Sequence, residues 1–447
     1  MKIAGFFKGD TRTRRMGRDI IGSILLKGIS MLLSLLIVPM TINYVNPTQY
    51  GIWLTLSSLI SWIVFFDAGL TLGFRNKFGD AIAKGKHSLG RVYVSNAFAS
   101  LGVICFLIVI AVIVGGKWID WTAVLNIPSS YKEELGKVFI LMVLFFSLQL
   151  VMQVTTAMLA ADQKVMYTGL INVIGQAVGL LVLWLLLRKS HDGSILSLVW
   201  VVSGVPVGVL LLFSIMLFFE KYHEYTPTIH YVRFRYIKDI LGMGYKFFII
   251  TTSMLFIFQI MNVIISRELG PESVTEYNIA YKYYNIAYMI LVLVLNPVWS
   301  AFTNAYSHQD LSWMRSIKNK LEKISLLIPL IVLLMCGVSG VFYKIWIGDS
   351  VTVSLGVNIS MAIYIILLSM ANVYMYMVNG IGKVKLQLII YILFALFSYP
   401  VMGYLCAGYG IPGMLLLPCI VYLVQGLLLR IQINKLVRGE AHGIWNS

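Results

Sequence analysis

The sequence predicts an all-α polytopic membrane protein of about twelve transmembrane helices, set in two six-helix bundles related by pseudo-two-fold symmetry about the membrane normal. Three observations carry this. Of 447 residues, 59% are hydrophobic and only 12% charged, with a mean hydropathy of +0.84; a soluble domain has too much need of polar covering for such a composition. Long uncharged runs recur, each near the ~20 residues that cross a ~30 Å hydrocarbon core. The phrase Arg18-Asp19-Ile20-Ile21-Gly22 returns 220 residues later as Lys238-Asp239-Ile240-Leu241-Gly242.

The expected spans are 19–44, 50–74, 91–115, 134–159, 167–187, 194–219, 240–266, 277–302, 321–341, 356–379, 386–406 and 411–434. Short alternating segments, the mark of a transmembrane β-barrel, do not occur. The first run is too long for a signal-peptide core and has no small-residue cleavage site, so it reads as an uncleaved first span.

The repeat extends beyond one phrase. Tyr50 opens the second span and Tyr277 the eighth; Phe74-Arg75-Asn76-Lys77-Phe78 closes the second and Phe302-Thr303-Asn304-Ala305-Tyr306 the eighth. Three anchors in one order suggest duplication, with both halves pointing the same way, an architecture typical of transporters. The expected division is an N-terminal lobe 1–222, a cytosolic linker 223–239 and a C-terminal lobe 240–447.

The formal charge of +16 is a topological signal rather than a nucleic-acid footprint. With a cytosolic N-terminus, the cytosolic segments hold 25 Lys and Arg and the outer loops six, Lys117, Lys132, Arg188, Lys189, Arg267 and Lys344. This bias predicts both termini in the cytosol, and the basic segments suit anionic headgroups. All six histidines lie in loops, and the four cysteines fall unpaired in apolar runs. No metal site, cofactor or nucleotide motif is expected; any coupling energy comes from an ion gradient, the membrane potential or the substrate gradient.

Four lysines lie inside spans: Lys27, Lys137, Lys246 and Lys282. Lys27 sits roughly 13 Å along its helix from Arg18, where an ammonium costs about 2.5–3.5 kcal/mol by insertion scales. It reads either as a cation in a watery cavity that takes an anionic substrate, or as a snorkelling side chain. Lys246 and Lys282 carry the same two readings. Lys27 lies eight residues past its aspartate and Lys246 seven, about 100° apart on a helix, so the halves are expected to bind unlike parts of a ligand. In the eighth span Tyr277, Tyr281, Tyr284 and Tyr288 share one helical face, and Asn278, Lys282 and Asn285 the next. Tyrosines beside amides and an ammonium suit a sugar with an anionic carrier, or else interfacial anchoring and helix packing. Asp67 either pairs with Lys27 or Arg75 or exchanges a proton. Gln149 and Gln153 in the fourth span, and Asn372, Tyr376 and Asn379 in the tenth, fit packing or binding. Pro39, Pro206, Pro297, Pro329 and Pro400 are expected to interrupt spans.

The basic N-terminus, Pro39 and Asn43 at the end of the first span, Gln49-Tyr50-Gly51, and Asp67-Ala68-Gly69-Leu70 followed by Gly73, Arg75 and Asn76 resemble bacterial polysaccharide flippases. These are the O-antigen (Wzx-type) and capsule exporters of the multidrug/oligosaccharidyl-lipid/polysaccharide exporter superfamily. The sharp part of the resemblance is residues 18–91; beyond it the match is architectural. It implies transfer of undecaprenyl-pyrophosphate-linked oligosaccharide from the inner to the outer leaflet of the cytoplasmic membrane by alternating access, with H+ or Na+ as a counter-ion and with a polysaccharide polymerase or chain-length regulator as partners. The expected substrate-binding set is Lys27, Lys246, Lys282, Arg75, Tyr281, Asn285 and Gln153, with Asp67 as the ion-coupling residue. A drug/cation antiporter of the same fold would call for an acid-rich interior, whereas in-span lysines outnumber acids here. A membrane enzyme would need a larger outer loop than 116–133. A lipid II flippase usually has two further spans.

Overall fold

The computed structural model describes residues 11–67, 69–162, 164–189, 193–233, 235–237 and 259–446. The expected seventh-span start, its repeated phrase and Lys246 lie outside the described residues. Every regular element described is helical, and the chain forms two compact units, Met1–Thr252 and Ser253–Ser447.

The first unit opens with α1 (Thr11–Tyr44), which carries Pro39 in its interior. Asn46 then caps α2 (Pro47–Ile60), its side-chain oxygen accepting from the Gln49 amide at 2.8 Å. The expected second span is not one helix. It is α2, a 3-10 segment Ser61–Asp67, and α3 (Leu70–Ala83). Gly69 stands between them at φ 77°, a left-handed conformation that glycine adopts without strain. There follow α4 (His87–Gly115), the short α5 (Trp121–Leu125), α6 (Lys132–Ala161) and α7 (Val165–Lys189). The loop before α6 is pinned by Asp120, which caps α5 through the Thr122 amide and pairs with Lys132 at 2.6 Å. Hydrogen bonds from Lys132 and Thr122 hold its carboxyl down at about 2.

The sixth span is built in three pieces: α8 (Ile195–Val199), a π-helical turn Trp200–Gly204, and α9 (Val205–Phe219). Pro206 lies just past that wide turn, as the second residue of α9. A proline lacks an N–H and crowds the preceding turn, and a π-turn is a common way to absorb both. Within the unit α1 packs along α7, α7 along α9, and α3 and α6 against α4.

The segment after α9 is not a loose connection. It is strapped to the start of α4. The Tyr225 hydroxyl lies 2.6 Å from His87 Nδ1, Arg91 Nε donates to the Thr226 carbonyl, and Asn96 Oδ1 accepts from the Arg233 amide. The Tyr222 hydroxyl donates to Asp162 at 2.6 Å; burial and that acidic partner push the phenol's pKa upward.

The second unit contains helical residues 259–269 (α10), α11 (Pro271–Ser307), α12 (Leu311–Ser325), α13 (Leu327–Ile347), α14 (Leu355–Ile381) and α15 (Lys385–Arg438). α14 is the hub, with α11, α13 and α15 packed on it. α15 covers the expected eleventh and twelfth spans as one stretch interrupted at Gly410, φ 67°. The expected ninth span, 321–341, is divided between α12 and α13, and Pro329 sits in the first turn of α13, where a missing N–H leaves no bond unmade.

Among the described residues nine helical stretches are long and apolar enough to cross a membrane. The twelve expected spans exceed nine because the second is broken, the seventh begins outside the described residues, and the last two abut across the kink at Gly410 as one stretch. Large apolar side chains point outward in helical stripes: Val103, Phe106, Leu107, Ile110 and Val114 on α4, and Leu330, Leu334, Val338, Val341 and Ile345 on α13. Such stripes on a soluble monomer would be a sticky patch; in a bilayer they meet acyl chains. The protein is a multi-pass membrane protein.

Candidate functional site

The candidate residues fall into two sets, one in each unit. In the first unit, Lys27 is exposed on α1. One turn further, Ser30 donates to Gln176 Oε1 at 2.9 Å and ties α1 to α7. Asp67 closes the 3-10 segment, and its Oδ1 accepts from the Thr71 amide at 3.0 Å and the Thr71 hydroxyl at 2.5 Å. The carboxylate is thus the acceptor for an otherwise unpaired amide in the first turn of α3. Among the described residues it makes no ion pair with Lys27 or Arg75. Arg75 is exposed on α3, and Gln153 is half-buried on α6.

In the second unit the striped face of α11 divides in function. Tyr277 and Tyr284 are buried. The Tyr277 hydroxyl donates to Met261 Sδ at 3.1 Å. The Tyr284 hydroxyl donates to Asn358 Oδ1 at 2.8 Å, and Tyr343 donates to the same oxygen at 3.1 Å. Asn278 donates to Asn262 at 2.8 Å. These side chains bind helix to helix. Tyr281, Lys282, Asn285 and Tyr288 are only half-buried. Tyr281 stacks on Tyr277, with ring centroids 6.2 Å apart and planes 12° from parallel. The structure therefore brings together Tyr281, Lys282 and Asn285, while Lys27, Arg75, Asp67 and Gln153 belong to the other unit.

The tyrosine cluster is wider than the sequence pattern of one helix. Tyr364 on α14 and Tyr391 and Tyr422 on α15 are buried. Tyr364 meets Tyr422 edge to face at 5.8 Å, and both lie close enough to Tyr281 and Tyr288 to interact electrostatically. Gln425 Nε2 donates to the Tyr391 hydroxyl at 3.1 Å. Four buried amide oxygens on these helices, Asn372 Oδ1, Gln387 Oε1, Gln425 Oε1 and Gln432 Oε1, have no donor among the described residues. Sequence reading missed Tyr364, Gln387, Tyr391, Tyr422 and Gln425 because each stands alone in an apolar run. Their signal is spacing: Gln387 and Tyr391 are four apart, and Tyr422, Gln425 and Gln432 fall at one helical phase.

Chemically, the arrangement offers aromatic faces, amide acceptors and one half-buried ammonium in an apolar setting. It offers no nucleophile–base pair, and among the described residues no group of three or more His, Cys, Asp or Glu that could hold a metal ion. Ring faces and amides bind hydroxyl-rich surfaces, and the ammonium binds an anion.

The class this defines is that of multi-pass membrane proteins with the fold of solved transporters. An inward-facing multidrug resistance MATE family transporter of the MOP superfamily superposes with a TM-score of 0.69 at 15% identity, covering 92% of this chain and all of that one. The lipid II flippase MurJ in an inward closed conformation gives 0.69 at 14% identity, covering 93% of this chain and 87% of MurJ. Residues 16–302 match the family model of polysaccharide biosynthesis proteins, and the chain belongs to that family. A protein of Salmonella typhimurium (strain LT2) described as a candidate O-antigen transporter is 22% identical over 412 residues, 90% of each chain.

Proposed function

We propose that this protein is a flippase that moves undecaprenyl-pyrophosphate-linked oligosaccharide, an O-antigen or capsule repeat unit, from the cytosolic to the periplasmic leaflet of the inner membrane. The observation that carries the reading is the half-buried α11 face of Tyr281, Lys282 and Asn285, with Tyr281 within electrostatic reach of Tyr364 on α14 and Tyr422 on α15. A lipid-linked glycan needs a cation for its pyrophosphate, ring faces for its sugars, and hydroxyl acceptors such as Gln387 and Gln425. Family membership and the similarity to the candidate O-antigen transporter support the same substrate class.

In this reading twelve helices form two six-helix lobes related by pseudo-two-fold symmetry, 1–222 and 240–447 joined by 223–239, with both termini cytosolic. The lobes alternate access to the two leaflets, with H+ or Na+ moving in exchange. Lys27, Lys246 and Arg75 supply further charge, Gln153 a polar contact, and Asp67 the ion-coupling carboxylate. A polymerase or chain-length regulator receives the product. The protein performs no covalent chemistry.

A multidrug antiporter is disfavoured because cationic drugs call for buried acids, and the interior cluster of the second unit carries a lysine. A lipid II flippase is the second reading, favoured by the MurJ superposition, which leaves 13% of MurJ uncovered. The test is leaflet transfer of defined lipid-linked oligosaccharides by purified protein in liposomes, with and without a proton or sodium gradient. Transfer of O-antigen-type lipid but not lipid II is the expected result; transfer of lipid II alone would overturn the proposal in favour of the second reading.

A further inference from the structure

α12 is amphipathic in an unusual sense. Its inward face is Met314, Lys318, Leu321 and Ser325, all buried and spaced four, three and four residues apart on one helical phase. A lysine thus occupies a core position. Lys318 Nζ donates to Asn434 Oδ1 on α15 at 2.6 Å and lies 3.4 Å from Glu322. Arg430, on α15, approaches the same carboxylate at 3.3 Å through Nε. The Tyr374 hydroxyl of α14 donates to it at 3.0 Å. Three helices therefore aim two cations and a phenol at one acid.

The balance of this cluster is net positive. Glu322 neutralises one of two charges, and Arg315, on α12 with Lys318, is a third cation whose bond among the described residues is to the Val437 carbonyl. Exposure is uneven: the side chain of Lys318 is 11% exposed and Glu322 21%, but Arg430 is 57% exposed. Among the described residues Arg430's two Nη groups make no hydrogen bond, so its fork presents donors outward. A guanidinium fork backed by an ammonium matches phosphate oxygens in geometry and charge. Meanwhile the carboxylate occupies the position an anionic ligand would take.

We propose that Lys318 and Arg430 form a phosphate-binding site for a polyprenyl pyrophosphate headgroup, with Glu322 as a built-in competing anion. The proposal deepens the flippase reading and rests on it for the identity of the carrier. A phosphate arriving at Arg430 displaces the weak 3.3 Å contact to Glu322. The lysine stays anchored by Asn434, and the carboxylate keeps its Tyr374 hydrogen bond. Glu322 thus lets the cations rest compensated and weakens binding enough to allow release.

Full-length protein in phosphatidylcholine nanodiscs is titrated with undecaprenyl pyrophosphate, with inorganic pyrophosphate and with phosphatidylglycerol. Arg430→Gln is expected to weaken undecaprenyl pyrophosphate binding about tenfold, the scale of one charge-assisted hydrogen bond pair. Arg430→Lys should recover only part of it, because an ammonium has no fork. Glu322→Gln should tighten binding about fivefold by removing the competitor. Arg430 is more than half exposed, so its variants keep the fold, which a thermal melt checks. If Arg430→Gln binds like the parent, or Glu322→Gln weakens binding as Arg430→Gln does, the cluster is a helix-docking ion pair and the proposal fails. An equal response to phosphatidylglycerol makes it a bulk-lipid site and also overturns it. Loss of oligosaccharide transfer in liposomes with these binding shifts intact would sink the flippase reading alone; transfer with no binding shift would sink this site alone.

Discussion

At the scale of single residues, the side chain whose surroundings say most is Asp67. From sequence it stands as an isolated carboxylate near a basic cluster, open to pairing or proton exchange. Its place at the end of the 3-10 segment gives it a local duty, accepting from the Thr71 amide and hydroxyl. Asp67→Ala is expected to cost about 1 kcal/mol, the usual value of a lost helix-start acceptor, read as a lowered melting temperature in detergent. Asp67→Asn keeps an oxygen acceptor and should cost less. The same pair tests ion coupling: gradient-driven transfer that survives Asp67→Asn removes the carboxylate from any proton or sodium pathway. Lys282 differs in its setting, a half-buried ammonium inside an expected span whose neighbours along α11 are the half-buried Tyr281 and Asn285.

Helices bring a second kind of constraint, close approach. Gly380, near the end of α14, lies against α11: a Cβ there would stand 2.6 Å from the Trp299 carbonyl oxygen and 2.9 Å from Phe302 Cβ. Thr303 Oγ1 completes the crossing by donating to the Gly380 carbonyl at 2.7 Å. Backbone cannot step aside as a flexible side chain can, so Gly380→Ala forces α11 and α14 apart. An overpacking cost of about 1–3 kcal/mol follows, visible as reduced thermal stability. An unchanged melt would mean that the two helices separate at no cost. Because α11 carries Lys282 and α14 carries Tyr364, the same change should lower transfer beyond what its stability loss explains.

Across the whole molecule, helices are strung so that charge sits at the ends and a few polar groups sit within. Lys27 is the extreme case in the first unit, an exposed ammonium on α1 inside an expected span. Lys27→Ala is expected to abolish surface glycan display while the protein remains at normal levels in the membrane, as judged by a fused fluorescent reporter. Normal glycan with Lys27→Ala would reduce it to a snorkelling side chain. Insertion should survive because removing a charge from within an expected span favours the bilayer.

Much of this architecture is legible in the chain alone. Hydropathy fixes membrane residence, because no other solvent accepts so many outward leucines and isoleucines on α4 and α13. Eleven of the expected runs fall on helices described here, since backbone groups in lipid must bond within their own segment. The resemblance carried by residues 18–91 pointed to the family that residues 16–302 match. Three-dimensional packing decided the rest. It broke the second span at Gly69, because a left-handed residue and a capping carboxylate end one helix and start another. It split the α11 stripe into tyrosines that hold helices and residues left open, which depends on where Asn358 and Met261 stand across the bundle. It gathered Tyr391, Tyr422 and Gln425, and it set Lys318 and Arg430 on one carboxylate more than a hundred residues away in the case of Arg430. Periodicity reports which residues share a face of their own helix; only the packed bundle decides what that face meets.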